Sequence, residues 1–331
     1  MIISYYTHQH GLNTNTGYGY AGLNVVRSLQ KLGHTVPFHD YSAPVQINFT
    51  PPHFYPNKVP GQYFIGYTPW ESTELKPGWL EKMNVCDEIW TPSPLIAEWF
   101  KDAGVTPPIY IYEHGVSKQW TPAKRELKPN RPLKLLNHGA EASRKCGQIV
   151  LDAYLDVFGR NSNEAQLTFK TNGPPPMRIE KDGFLYNPGQ YSSSVNVVTN
   201  HINLEELISL YHSHHALVGP SQAEGFGLTQ LQAMATGMPV IMNTEWAPYN
   251  RFILPGLGIS SKLVNSKWKK EHPGKVWLPN YEELCASMKL LADDYNTLAD
   301  SAEILSQRVR EEYDWLKVTE DAFAHIIEKF A

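Results

Sequence analysis

Two apolar runs short enough to be strands, Ala216-Leu217-Val218 and Val240-Ile241-Met242, bracket a glycine-bearing turn and a helix-forming stretch that begins after Gly227. Strand, glycine loop, helix, strand is the repeating unit of a parallel α/β sheet, because a helical crossover returns the chain to the same end of the sheet. The unit recurs. Ile2-Ile3-Ser4-Tyr5-Tyr6 precedes a polar loop, then Leu23, Val26, Leu29 and Leu32 at helical spacing before Gly33,. Residues 34–38, 62–68, 88–93 and 108–116 read as further strands, with a helix over 95–103. The stretch 117–132, SKQWTPAKRELKPNRP, is polar, proline-bearing and without period, so it reads as a linker,. Alternation restarts beyond it, with strands at 133–137, 166–170, 216–219 and 239–243 and helices at 147–158, 204–212 and after Gly227. A last helix, 317–330, carries Val318, Ala322, Phe323, Ile326, Ile327 and Phe330 on one face,. The pattern predicts two doubly wound α/β domains facing one cleft.

Composition narrows the function. An apolar share of 42% and a charged share of 19% are those of a water-soluble globular chain,. The net charge of −4 gives no global basic field for nucleic acid, though a local patch is compatible with it,. Cys86, Cys146 and Cys285 are odd in number and far apart, so neither a disulfide framework nor a zinc ligand set is expected,. The amino end lacks a basic region with an apolar core, and no apolar run is long enough to span a bilayer,. The expected setting is the cytoplasm, that of the host if the protein is viral.

In an open α/β sheet, ligands bind beyond the carboxyl ends of the strands. The segment Glu224-Gly225-Phe226-Gly227 occupies such an end. Gly225 and Gly227 let a ligand approach the backbone, and the helix starting near Leu228 points its positive end at the same spot, which suits a phosphate or diphosphate,. Glu224 is placed to accept hydrogen bonds from ligand hydroxyls. Arg144 and Lys145, in the loop after strand 133–137 and expected to be exposed, suit a doubly charged phosphate,. Gly17, Tyr18 and Gly19 open a helix on the opposite domain. Three anion-suited loops therefore converge on one cleft.

With these motifs in place, the chain resembles a retaining GT-B glycosyltransferase of the family 4 type. The carrying segments are EGFG through QAMATGMPVI, FIGYTPWEST, VCDEIWTPSPLIAEWFKDAGV, HGV, RKCG and YDWLKVTEDAF. The resemblance implies two Rossmann-like domains. Residues 1–125 form the acceptor side, 126–314 form the nucleotide-sugar donor side, and helix 315–331 crosses back onto the first. It implies transfer of a sugar from a nucleoside-diphosphate sugar to an acceptor hydroxyl with retention, and no metal or other cofactor. Glu224 contacts the donor sugar, and Gly225, Phe226, Gly227 and Leu228 contact sugar and diphosphate. Arg144 and Lys145 hold the diphosphate, and Asn172 and Gly173 pack the nucleobase. One position departs from the pattern: the second acid, which holds the ribose in the family, is Gln232 here. The family's usual Gly-Arg is Gly139-Ala140, so Arg144 is expected to serve in its place.

Trp70 and Glu71, after strand 62–68, are expected to meet the acceptor, which is a glycan, a small molecule or a nucleic-acid base. His8 and His10, or His212, His214 and His215, lack a cysteine or carboxylate at metal-ligand spacing, so no metal site is expected,. The segment 261–275 carries five lysines and one acid, which reads as a solvated loop or as a contact for an anionic acceptor,. Two rival functions follow: the same chemistry on a modified nucleic-acid base, for which those lysines speak, and nucleotide-sugar binding without turnover, for which Gln232 speaks. The oligomeric state is not legible.

Overall fold

A computed structural model describes residues 1–330 except 8–10, 14–15, 140–143, 172–178, 182–183 and 187–191; for 179–181 and 184–186 it describes the backbone alone. The amino-terminal half contains β1 (Ile3–Tyr6), α1 (Gly17–Lys31), β2 (Val45–Phe49), β3 (Tyr63–Tyr67), α2 (Trp79–Met83), β4 (Glu88–Thr91), α3 (Pro94–Asp102) and β5 (Ile109–Ile111). The five strands form one parallel sheet in the order β1-β2-β3-β4-β5. The segment expected as the second strand, 34–38, makes only isolated bridges, Ile2 with Thr35 and Tyr5 with Phe38, along the free edge of β1. The chain thus leaves β1 to one side and returns on the other, which makes that end a switch point.

The strand that does pair with β1, Val45–Phe49, was hidden by its polar interior. Gln46 and Asn48 are fully buried; Gln46 Nε2 donates to Asn48 Oδ1 at 2.7 Å and Asn48 Nδ2 to the Ile65 carbonyl at 2.9 Å. Both side-chain NH2 groups thus have acceptors, while Gln46 Oε1 stays buried without a partner among the described residues.

The second half contains β6 (Leu133–His138), α4 (Gly147–Phe158), β7 (Ala165–Lys170), β8 (Ile179–Lys181), β9 (Phe184–Tyr186), β10 (Val195–Val198), α5 (Leu204–His212), β11 (Ala216–Val218), α6 (Leu228–Ala235), β12 (Val240–Asn243) and β13 (Gly258–Ile259). Its parallel sheet has the order β10-β7-β6-β11-β12-β13. The chain runs outward from β6 in one direction, then from β11 in the other, so the crevice between β6 and β11 is a second switch point. β8 and β9 form a separate antiparallel pair. The lysine-bearing insertion is not a plain loop. It builds an antiparallel hairpin, β14 (Ser261–Asn265) with β15 (Lys275–Pro279). Helices α7 (Tyr281–Asp293), α8 (Tyr295–Glu312) and α9 (Trp315–Phe330) follow.

Residues 117–132 contain neither helix nor strand, yet they are tied down by Arg125. Its buried guanidinium donates to the carbonyls of His214, Ala123, Thr236 and Tyr211 and to Thr236 Oγ1. Three of those residues lie at the carboxyl ends of α5 and α6, where unpaired carbonyls concentrate negative potential. Helix α9 returns to the first sheet: Phe323 and Ile326 are fully buried, Thr319 Oγ1 accepts from Tyr112 Oη at 2.7 Å, and His325 Nε2 lies 3.0 Å from the Glu88 carboxylate. A parallel bridge between Val116 and Asp314 marks where the chain recrosses.

Candidate active site

The carboxyl ends of both sheets face one cavity of about 530 Å³. Its walls include Gly17 and Tyr18 from the start of α1, Glu71 from beyond β3, and His114 from beyond β5. The second half contributes His138 and Gly139 at the end of β6 with Arg144 and Lys145 beyond it, Lys170 at the end of β7, and Glu224 through Thr229 with Gln232 beyond β11. The crevice predicted for an open sheet is therefore the one observed.

The turn between β11 and α6 depends on its glycines. Gly227 caps α6 at φ +85, where a side chain is strained, and a Cβ there would also strike Trp246 and Tyr249,. Gly225 lies against Pro69 of the first half, so the two halves touch across this residue. Phe226 packs under the site on His114 and Tyr249, and the Tyr249 hydroxyl donates to the Gly227 carbonyl. The first amides of α6 are left pointing at the cavity, a geometry that favours an anion.

Arg144 and Lys145 reach the same place, but they are not exposed: their side chains are 11% and 15% accessible. The Lys145 ammonium donates to Glu224 Oε1, and Arg144 Nη1 lies 3.6 Å from Glu224 Oε2 and donates to the Ala223 carbonyl. Arg144 Nη2 lies 3.9 Å from Glu71 Oε1, across the cleft. Burial pushes the Glu224 carboxyl up, but Lys145 and Arg144 outweigh it and hold the group below its ordinary value. Two cations and two carboxylates thus neutralise one another in the site.

Of the other expected residues, Gln232 lines the cavity at 6% exposure. Trp70 does not reach it. It is 3% exposed, its indole N–H donates to the Glu74 carbonyl, and its ring packs on Trp79, so it serves the core below the loop that carries Glu71. Gly19 is buried in the first turn of α1, its amide capped by Thr16 Oγ1, and a Cβ there would strike Asn13. Asn172 and Gly173, like His8, His10 and Ala140, lie outside the described residues. Among the described residues no cluster of three or more His, Cys, Asp or Glu suits a metal, and no helix is long and apolar enough to cross a membrane.

Among the wall residues given no role from the sequence are two histidines. His114 lines the cavity at 4% exposure, and neither of its buried ring nitrogens meets a partner among the described residues. Its signals were its place after a strand and the segment HGV, residues 114–116, which carried the resemblance without a role for the histidine. His138, at the end of β6, takes Tyr211 Oη on Nδ1 at 2.8 Å. Burial pushes both imidazoles down to about 3, with Lys170 and Lys145 adding to the effect at His138. Both are neutral donors or acceptors at physiological pH.

The sign of the resulting pH dependence follows. A histidine titrating near 6.5 when unfolded and near 3 when folded binds more protons in the unfolded state throughout that window, so stability falls as pH drops below about 6.5,. Between pH 7 and pH 5, His114 alone contributes a loss of about 2 kcal/mol. His138 adds less, because one side of its ring opens on the cavity. Because the other depressed histidines, His138, His214 and His215, are common to both proteins, denaturant unfolding at the two pH values should show a loss about 2 kcal/mol smaller in His114→Gln than in the parent,. Equal pH dependence in parent and variant removes His114 as the cause.

The fold has close counterparts among solved structures. Sucrose-phosphate synthase from Thermosynechococcus elongatus superposes with a TM-score of 0.70 at 12% identity, covering 99% of both chains. The lipopolysaccharide outer core galactosyltransferase WaaB gives 0.65 at 15% identity, covering 98% of this chain and 99% of the other. A glycosyltransferase from Rickettsia africae ESF-5 gives 0.64 at 13%, over 99% and 98%. At such identities these show the two-domain GT-B fold. No curated protein matches the chain. The sequence profile described as "Family 4 Glycosyltransferase in conflict systems" matches residues 94–321, well over half the chain. Taken with the fold and a cleft that meets those residues at Glu224, this match makes the protein a GT-B glycosyltransferase, a member of the family 4 glycosyltransferases of conflict systems.

Proposed function

We propose that the protein transfers a sugar from a nucleoside-diphosphate sugar to an acceptor hydroxyl with retention at the anomeric carbon. The observation that carries this is the meeting of Arg144, Lys145 and the start of α6 around Glu224 in one cavity. A volume of about 530 Å³ lies within the range of small-ligand sites and has room for a donor of this class,. Departure of a diphosphate from an oxocarbenium-like centre needs stabilisation of the leaving group above all, and the cation pair with the helix amides supplies it without a metal. Glu224 accepts from the sugar hydroxyls, and His114 offers its free ring edge to the same sugar. Ile202, Leu204 and Leu207 provide an apolar wall for the base.

Among the described wall residues the two carboxylates, Glu224 and Glu71, are engaged by Lys145 and Arg144, which supports a front-face path rather than a separate nucleophile. In it the acceptor oxygen bonds to the anomeric carbon, the bond to the diphosphate breaks, and the acceptor proton passes to the departing oxygen. Residues 1–125 with helix 315–331 then form one body and 126–314 the other, and closure between them excludes water. Incubation with a panel of nucleotide sugars and acceptors, reading release of nucleoside diphosphate and the anomeric form by NMR, tests this. No release with any donor sinks the reading, and an inverted product overturns retention alone.

Gln232 decides how the ribose is held. A glutamate there would accept two hydroxyls, worth about 1.5–3 kcal/mol. It would also sit near the diphosphate, where repulsion at roughly 8 Å and an effective dielectric near 20 is about 2 kcal/mol. The terms nearly cancel. Gln232→Glu should therefore change nucleoside-diphosphate affinity less than about tenfold, while Gln232→Leu weakens it more by leaving ribose hydroxyls buried without partners. Calorimetric titration compares the three; a leucine variant that binds like the parent shows that residue 232 does not touch the ribose.

A further inference from the structure

The β14–β15 hairpin is rooted beside the site and reaches the first half next to it. At its base, the Trp277 amide donates to the Gln222 carbonyl at 2.7 Å, and the Gln222 amide donates to the Arg144 carbonyl at 2.9 Å. At its far end it meets the first half. The Lys275 amide donates to Thr73 Oγ1 at 2.9 Å, and the His272 ring lies 5.6 Å from that of Trp70 and 3.8 Å from the Glu71 carboxylate. Gly274, at φ +84, lets the backbone pass against Thr73 and Glu74. The hairpin therefore spans the seam at the edge of the cavity wall formed by Glu71.

Its outer surface is cationic. Lys262, Lys267, Lys269, Lys270 and Lys275 are all exposed, and none forms an ion pair with a described residue. Lys76, over the Trp70 and Trp79 rings at 5.6 and 5.7 Å, adds a cation from the other side of the seam. In a chain of net charge −4 this is a local reversal of sign. With the exposed Glu271 as the hairpin's one acid, the excess of cations raises the local potential and favours association with an anionic surface,. Lysines are suited to sequence-independent phosphate contacts, and a two-stranded ribbon is one of the elements that the major groove of a duplex admits. A membrane would need an apolar face, and the hairpin exposes a single large apolar side chain, Leu263,.

We infer that this hairpin docks duplex nucleic acid across the mouth of the cleft, and that a hydroxyl borne by a base of that duplex is the sugar acceptor. The docking stands on the hairpin alone; the identity of the acceptor rests on the transfer reaction proposed above. In that step the base's hydroxyl oxygen bonds to the anomeric carbon, the carbon's bond to the diphosphate breaks, and the hydroxyl proton goes to the leaving oxygen. The base must be turned out of the stack to reach Glu224, as in other enzymes that act on bases.

The test uses the full chain and a labelled short DNA duplex in fluorescence anisotropy over a salt series. The Lys262→Gln, Lys267→Gln, Lys269→Gln and Lys270→Gln combination changes only exposed side chains and leaves Lys275 at its seam. It should weaken binding roughly tenfold or more and reduce the slope of log affinity against log salt by about 0.9 per lysine. Acceptor-independent donor hydrolysis should stay within about twofold of the parent, since none of the four lines the donor cavity,. Binding that is unchanged in the variant, or insensitive to salt in the parent, overturns the inference. So does tighter retention by anionic vesicles or a sulfated polysaccharide than by the duplex. Duplex binding without donor turnover leaves the docking standing and removes the transfer reading instead.

Discussion

Arg144→Gln with Lys145→Gln should lower kcat by about a thousandfold. Each cation supplies a charge-assisted contact to the leaving diphosphate worth about 1.5–3 kcal/mol, and the pair together roughly 10²–10⁴ in rate. The sequence suggested two exposed residues whose loss leaves the fold untouched. The structure alters that expectation, because both are mostly buried against Glu224. Removing them leaves a carboxylate at 8% exposure without its partners, and an uncompensated buried charge costs about 3–5 kcal/mol,. Lower stability should therefore accompany the lost rate. Adding Glu224→Gln separates the two effects: the triple variant regains its melting temperature but not its turnover. A double variant with kcat within threefold of the parent takes the pair out of the mechanism.

Deleting 315–331 should leave a chain whose first half does not fold. Helix α9 buries Trp315, Val318, Phe323 and Ile326, each worth about 1.5–3 kcal/mol, which sums to a figure comparable with the whole stability of a typical domain. The deletion also strips Tyr112 Oη of Thr319 and the Glu88 carboxylate of His325. Phe323→Ala is the milder form. It should cost about 4 kcal/mol through the cavity it leaves, and its melting curve should shift while the protein remains soluble. A deletion variant with an unshifted melting curve shows that the helix contributes nothing to the first sheet.

The site loop was legible in the sequence because its requirements are local. A glycine at φ +85 before a helix, and cations after a strand, announce themselves by residue type and position. The β/α alternation was legible for the same reason, wherever strands are apolar throughout. It failed at β2, where Gln46 donates to Asn48 inside the sheet, and at the lysine-bearing hairpin, whose polar outer surface erases a strand's signature. Trp70 illustrates a different limit. An aromatic residue after a strand looks the same whether it turns to the cleft or to the core, and the packing of Trp79 and the Glu74 carbonyl settled it. His114 was visible in the HGV segment but given no role, because a ring nitrogen left without a partner cannot be read from residue type.

The return of α9 to the first sheet also sets an order of events at the ribosome. Strands β1 to β5 are synthesised first, but the helix that covers Trp90 and meets Tyr112 emerges only after the whole second sheet has been made. Domains ordinarily fold in the order they appear. Here the early half waits with an open apolar flank while the later half, complete between residues 133 and 312, can finish ahead of it. Nascent chains arrested just short of α9 should therefore protect the second half from protease and leave the first half digestible.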